Sequence, residues 1–156
     1  MKKILIAAVL TAVSANALAG DIYAGGGLSS NSLSGFGSEI GYQFFLGYDL
    51  KTVKLGKANL AVEVGYMDSG EFEQCIPFFG CASESVNGLW STAVVSMPIA
   101  PQLDFLGRIG LDFGDDDGLM FGVGLGYALD KAMQLRGEYV IRDNIDSLQA
   151  NIAVRF

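Results

Sequence analysis

The chain closes on Ser147-Leu148-Gln149-Ala150-Asn151-Ile152-Ala153-Val154-Arg155-Phe156. Leu148, Ala150, Ile152, Val154 and Phe156 fall on alternate positions, with Gln149, Asn151 and Arg155 between them. A period of two is the mark of a β-strand whose faces differ chemically. Chain ends usually fray. An amphipathic strand carried through to a terminal aromatic therefore predicts an end that is paired, with one face against something apolar.

The same alternation extends back along the chain. It predicts strands over 21–29, 35–50, 58–72, 86–99, 102–113, 118–130 and 133–142, followed by the terminal strand. In the second, Phe36, Ile40, Tyr42, Phe44, Leu46 and Tyr48 share a face opposite Glu39, Gln43 and Phe45. In the fourth, the least regular, Trp90, Thr92 and Ser96 oppose Leu89, Ala93, Val95 and Met97. In the sixth, Leu119, Phe121, Val123, Leu125 and Tyr127 oppose Gly122, Gly124 and Gly126. The separators fall into two sets: 51–57, 97–101 and 130–132 on one rim, and 30–34, 70–85, 114–118 and 143–146 on the other. Eight strands suffice to close a small barrel filled by its own side chains. The expected fold is all-β, an eight-stranded antiparallel up-and-down transmembrane β-barrel.

A bilayer explains the pattern better than water does. Hydrophobic residues make up 51% of the chain, and the mean hydropathy is +0.37. No run of 18 apolar residues follows the first twenty positions, which argues against membrane helices. In water the apolar face of a closed barrel would be uncovered. In lipid that face is solvated, and closure leaves no unpaired edge. Aromatics gather near strand ends, with Phe36, Tyr66, Phe113 and Phe121 on one side and Tyr48, Phe105, Tyr127 and Phe156 on the other, as interfacial girdles require. A soluble periplasmic lipocalin-like binder is the weaker alternative. It would turn the apolar faces inward and Arg108, Arg136 and Glu138 outward.

The opening segment supports export. Lys2 and Lys3 precede an apolar run from Ile4 to Val13, and Ala17-Leu18-Ala19 supplies a small-residue cleavage pattern. Residues 1–19 are read as a signal peptide and 20–156 as the barrel domain. Cleavage would leave 137 residues and, with two lysines removed, shift the formal charge from −7 to −9. That balance argues against nucleic acid as a partner. The chain has no histidine, so both the commonest side-chain metal ligand and the usual catalytic base are missing. No catalytic residue, metal site or cofactor is expected. Cys75 and Cys81 read as one local disulfide in an exported protein. Two thiols without a second pair make a poor zinc site.

The polar face predicts what fills the lumen. Glu39, Glu63, Asp104, Arg108, Arg136 and Glu138 are expected to point inward as a charge network. Glycines 122, 124 and 126 would make room for the guanidinium groups of Arg108 and Arg136. Asp112 and Arg142 are assigned to the rims. The run Gly114-Asp115-Asp116-Asp117-Gly118 reads as a solvated turn, lacking the ligand spacing of a calcium loop. The 70–85 segment reads as the longest loop. There Phe72, Ile76, Phe78 and Phe79 form either a contact surface or a cap over the mouth.

The terminal strand, with Ile152, Val154 and Phe156, resembles the β-signal of bacterial outer-membrane proteins, which the barrel-assembly machinery reads. Ala150 and Asn151 stand where that pattern often carries a glycine. The whole mature chain is similar to small OmpA-like and OmpX-like outer-membrane barrels. The resemblance implies the bacterial outer membrane as location, with lipid and lipopolysaccharide as neighbours. It also implies a structural or surface-interaction role, with an extracellular ligand or surface partner open. A narrow porin-like channel for ions or small solutes is the alternative.

Overall fold

The computed structural model describes residues 22–33, 37–51, 53, 56–76 and 80–156, with backbone alone for 73–76 and 80–82. The expected signal peptide lies outside the described residues, as do Phe36, Phe78, Phe79 and the side chains of Ile76, Cys75 and Cys81.

Eight strands form a closed barrel in chain order: β1 (Ile22–Leu33), β2 (Gly37–Asp49), β3 (Asn59–Ile76), β4 (Gly80–Ala100), β5 (Leu103–Gly114), β6 (Gly118–Ala128), β7 (Met133–Ile141) and β8 (Ile145–Arg155). Every neighbouring pair is antiparallel. The terminal strand closes on the first, from Tyr23 opposite Arg155 to Leu33 opposite Ile145. The Phe156 amide extends that seam by donating to the Ile22 carbonyl at 3.1 Å. No helix occurs among the described residues.

The alternation sorts the faces as the sequence predicts. Ile40, Phe44, Leu89, Val123 and Leu148 are exposed on the outer wall, whereas Phe45, Trp90 and Leu106 are buried inside. The outer wall is thus an apolar belt with no protein cover, a surface suited to hydrocarbon.

Strand ends depart from expectation mainly at the loop-side rim. The segment 70–85 is not a long loop. β3 and β4 run through most of it, paired from Glu71 opposite Ser85 to Ile76 opposite Gly80. β2 last pairs with β3 at Tyr42–Asp68, and β4 with β5 at Gly88–Gly114. The outer six pairs of the β3–β4 hairpin therefore stand beyond the barrel as a two-stranded ribbon. Their sequence hides this because a ribbon beyond the membrane has no lipid-facing side to impose apolar alternation.

A register shift between Asp68 and Glu71 marks the root of the ribbon. Gly70 has φ +82°, and a Cβ there would run into the Ile40 carbonyl, so the bulge needs glycine. Asp68 Oδ1 accepts from the Gly70 amide at 3.0 Å, and Ser69 Oγ accepts from the Val86 amide at 2.9 Å. The bulge turns Phe72 inward. Its side chain is fully buried against Val86 and Ile145, with Leu33 beside them. Of the two readings of Phe72, contact surface or cap, the structure gives the cap: it covers the loop-side mouth and is not available as an exposed contact residue.

Inside the barrel, glycines on one strand lie beneath large side chains from the next. Tyr23 lies over Gly47, Phe45 over Gly25 and Trp90 over Gly65. Gly122 makes room for Arg108, as predicted, but Gly124 accommodates Glu138, and Gly126 accommodates Gln134 rather than Arg136. A side chain at any of these glycines would collide with its filled neighbour. Gly65→Val should cost about 1–3 kcal/mol through overpacking against the Trp90 ring. The expected reading is a lower urea midpoint, followed through the emission of Trp90, the single tryptophan.

Candidate functional site

The lumen has an aromatic half and a charged half. Tyr23, Phe45 and Trp90 come from β1, β2 and β4 and form a run of ring contacts, at 6.4 Å between Tyr23 and Phe45 and 6.1 Å between Phe45 and Trp90. β5 and β7 supply Arg108, Arg136 and Glu138, while β6 between them contributes glycines and Met120. The two halves interlock. The Arg108 guanidinium sits 5.4 Å from the Trp90 ring centre, and that of Arg136 sits 5.0 Å from Tyr23 and 5.6 Å from Phe45.

Glu63 on β3 joins these groups. Its Oε1 accepts from the Tyr23 hydroxyl at 2.7 Å and from Arg136 Nη1 at 2.5 Å. Its Oε2 lies 3.3 Å from Arg108 Nη2, which also reaches Glu138 Oε2 at 2.6 Å. All four charged side chains are almost wholly buried, so neutralisation has to be internal. Of the six charges expected inside, Glu63, Arg108, Arg136 and Glu138 meet here. Asp104 stands one step away, accepting from Gln134 Nε2 at 2.9 Å while Gln134 Oε1 accepts from Arg136 Nε at 2.9 Å. Glu39 is exposed near the loop-side end of β2 and takes no part. Its strand end projects past the last β2–β3 pair, which places it above the filled lumen.

Two further interior groups correct the sequence reading. Asp112 and Arg142, assigned to solvated rims, form a buried ion pair with Nε 2.5 Å from Oδ2. The Phe72 cap fills this mouth, so a residue at a strand end is not at a wet edge. Arg142 Nη1 also donates to Ser147 Oγ at 2.8 Å, and Ser147 donates to Asn31 Oδ1 at 2.7 Å. Lower in the lumen, Gln43 Nε2 donates to Gln149 Oε1 at 2.7 Å and Asn151 Oδ1 at 2.8 Å. Gln149 and Asn151 carried a signal in the alternation of the last strand. Tyr23 did not, because glycines 25–27 obscure the period around it.

At the turn-side end the lumen opens into a cavity of about 720 Å³ that reaches Tyr23 and Arg136. Arg155 and Asp49 form an ion pair at 2.7 Å beside this opening. On the loop side, the aspartate run serves as a set of backbone acceptors. Asp115 accepts from the Asn87 amide at 3.1 Å, Asp116 from the Asn144 amide at 3.1 Å, and Asp117 from the Gly114 amide at 2.5 Å. Among the described residues, no group of three or more acids, cysteines or histidines is placed to hold a metal ion. In the ribbon, Cys75 lies directly opposite Cys81 in the ladder.

Comparison with known proteins places this architecture. A family profile described as outer membrane protein beta-barrel domain matches residues 5–156. A search of curated proteins returns no match. Among solved structures, a de novo designed transmembrane β-barrel aligns with TM-score 0.61 at 16% identity, covering 91% of this chain and all of that one. The Yersinia pestis outer membrane protein Ail, in a phospholipid bilayer nanodisc, gives TM-score 0.61 at 12% identity, covering 88% of this chain and 99% of Ail. Ail has also been solved with the heparin analogue sucrose octasulfate, where it aligns with TM-score 0.57 at 12% identity over 89% of this chain and all of that one. Neisserial surface protein A aligns with TM-score 0.51 at 15% identity, over 86% and 96% of the two chains. At these identities the structural likenesses speak for the fold, whereas the profile spans nearly the whole sequence. The chain belongs to the outer membrane protein beta-barrel family and is an integral β-barrel of the bacterial outer membrane.

Proposed function

We propose that this protein is a sealed structural barrel that carries a surface-interaction element, the β3–β4 ribbon, outside the membrane. The observation that carries the reading is the pairing of six residues of β3 with six of β4 beyond the last neighbouring strand. Nothing in the closure of the barrel requires these pairs. In the same reading residues 1–19 are the export signal, and Ile152, Val154 and Phe156 are the assembly signal for the barrel machinery. The outer wall meets phospholipid and lipopolysaccharide. A Cys75–Cys81 disulfide fits residues directly opposite in an antiparallel ladder, whose Cα separation of about 4.5–5.5 Å lies within the usual disulfide span. It would hold the ribbon tip rigid and limit the entropy lost on contact.

The charge network supports a plugged lumen over a narrow porin-like channel. Buried ion pairs tie β3, β5 and β7 together, and the Phe72 cluster covers the loop-side mouth. Planar-bilayer recordings of protein shown to be folded by heat-shifted gel mobility should be silent. Steady single-insertion openings would favour the channel instead. Removing Glu63 should leave two buried guanidinium groups short of a partner. Glu63→Ala should therefore lose about 3–5 kcal/mol of unfolding free energy in urea. Arg136→Ala added to it should cost much less than it does alone, because the partner is already gone.

The sign of the loop-side surface separates this chain from the Ail complex with sucrose octasulfate. Glu39, Glu71, Glu84, Asp115, Asp117 and Asp143 are exposed on this side, and its one arginine, Arg142, is buried. Beyond the first three residues, the lysines of the chain are at 51, 54, 57 and 131, on the other rim or its turns. A polyanion would be repelled here, so titration with sucrose octasulfate at physiological ionic strength should give no binding. A surface partner of this face should be cationic.

A further inference from the structure

A glycine on the outer wall breaks the rule that holds inside. The inner-wall glycines lie beneath side chains from neighbouring strands, and Gly26 on the outer wall is covered in the same way by the Phe44 ring. Gly107 on β5 has no such cover. A Cβ there would meet one atom of Phe105 at 4.0 Å and nothing closer. Its backbone is not left-handed, and its pairing with β4 and β6 is regular. No turn, bulge or protein neighbour therefore accounts for it. Glycine within a strand weakens the strand and often marks a place where a ligand comes close.

Gly107 lies in a hollow of about 370 Å³ on the outside of the barrel. Two rows of residues cross it from β4 to β7. Val95, Gly107, Val123 and Tyr139 form one row, and Ala93, Ile109, Phe121 and Ile141 form the next. Gly107 and Ala93 are the low points. The floor is backbone, where Arg108 pairs with Gly122, because the Arg108 side chain points into the lumen. Phe121, Tyr139 and Ile141 stand around it as exposed apolar walls.

We propose that this hollow seats one hydrocarbon chain of a lipid from the leaflet on the loop side. The hollow is continuous with the apolar wall that faces the membrane, and its outward side chains are apolar apart from the Tyr139 hydroxyl, which donates to Asp146 at 3.1 Å. Tyr139 and Ile141 are at the loop-side end of β7, so the chain enters there and runs down to Gly107. Asp143 and Asp146 at that rim give a lipid phosphate no cation to meet, so the tail carries the recognition. A thin, flexible chain fits the concavity, whereas the convex wall of a second barrel would bridge it and forfeit contacts across the gap. The seat is independent of whether the lumen conducts and of what the ribbon touches.

The test is native mass spectrometry of protein transferred from dimyristoylphosphatidylcholine nanodiscs into mild detergent. Wild type is expected to keep one lipid after the bulk lipid is stripped. Gly107→Leu fills the hollow and should lower the lipid-bound fraction several-fold. Gly137→Leu makes the same change at an open glycine of the same wall outside the hollow, and should keep the lipid. Heat-shifted gel mobility shows that each variant is folded. A wild type without lipid, or equal retention in wild type and Gly107→Leu, would overturn the proposal. So would a protein dimer in place of the lipid adduct, since the occupant would then be a second copy. A reading on wild type alone is NMR in the same nanodiscs. Cross-peaks from chain methylenes to the Gly107 amide and the Ala93 methyl are expected, and their absence would reject the seat.

Discussion

Eight strands can cross hydrocarbon only if none of them is an edge, and this constraint governs the rest of the molecule. Each backbone N–H and C=O in the membrane must find its partner on a neighbouring strand. The seam between β1 and β8 is where that requirement is met last, and it runs through eleven pairs from Tyr23–Arg155 to Leu33–Ile145. An ordered chain terminus follows from this seam. Phe156 is no loose end, since its amide bonds to the first strand and the strand before it completes the ladder.

Closure also fixes the interior problem. A barrel of this size has no room for a wide pore, and its inner wall must pack at protein density. The solution is complementary pairing across strands, with bare backbone beneath large side chains. β6 gives up side chains at Gly122, Gly124 and Gly126, and Arg108, Glu138 and Gln134 occupy the space. On the opposite side, Gly47, Gly25 and Gly65 do the same for Tyr23, Phe45 and Trp90. Charge and ring faces then meet in the centre, where a buried guanidinium gains from both a carboxylate and an aromatic face.

The ends of the barrel differ. The turn side opens into a cavity that reaches Arg136, while the loop side is covered by Phe72, Val86 and Ile145. The cover comes from the same bulge that launches the ribbon, so the element that extends outward also closes the mouth. A single glycine at φ +82°, Gly70, links the two.

The sequence by itself determined the number of strands, their antiparallel order, the sorting of their faces and the membrane setting, because lipid outside and packing inside impose opposite chemistry on alternate residues. It also placed Glu63, Arg108, Arg136 and Glu138 on the inner face. Tertiary structure alone decided who meets whom. Partners in the lumen lie on different strands, so Glu63 finds Arg136 across 73 positions of chain, and no local period records that distance. It also decided that Asp112 and Arg142 are buried and Glu39 is not, since burial at a strand end depends on what covers the mouth. The ribbon was hidden for the complementary reason. Beyond the bilayer neither of its faces meets lipid, so the alternation that betrays a membrane strand has no cause there.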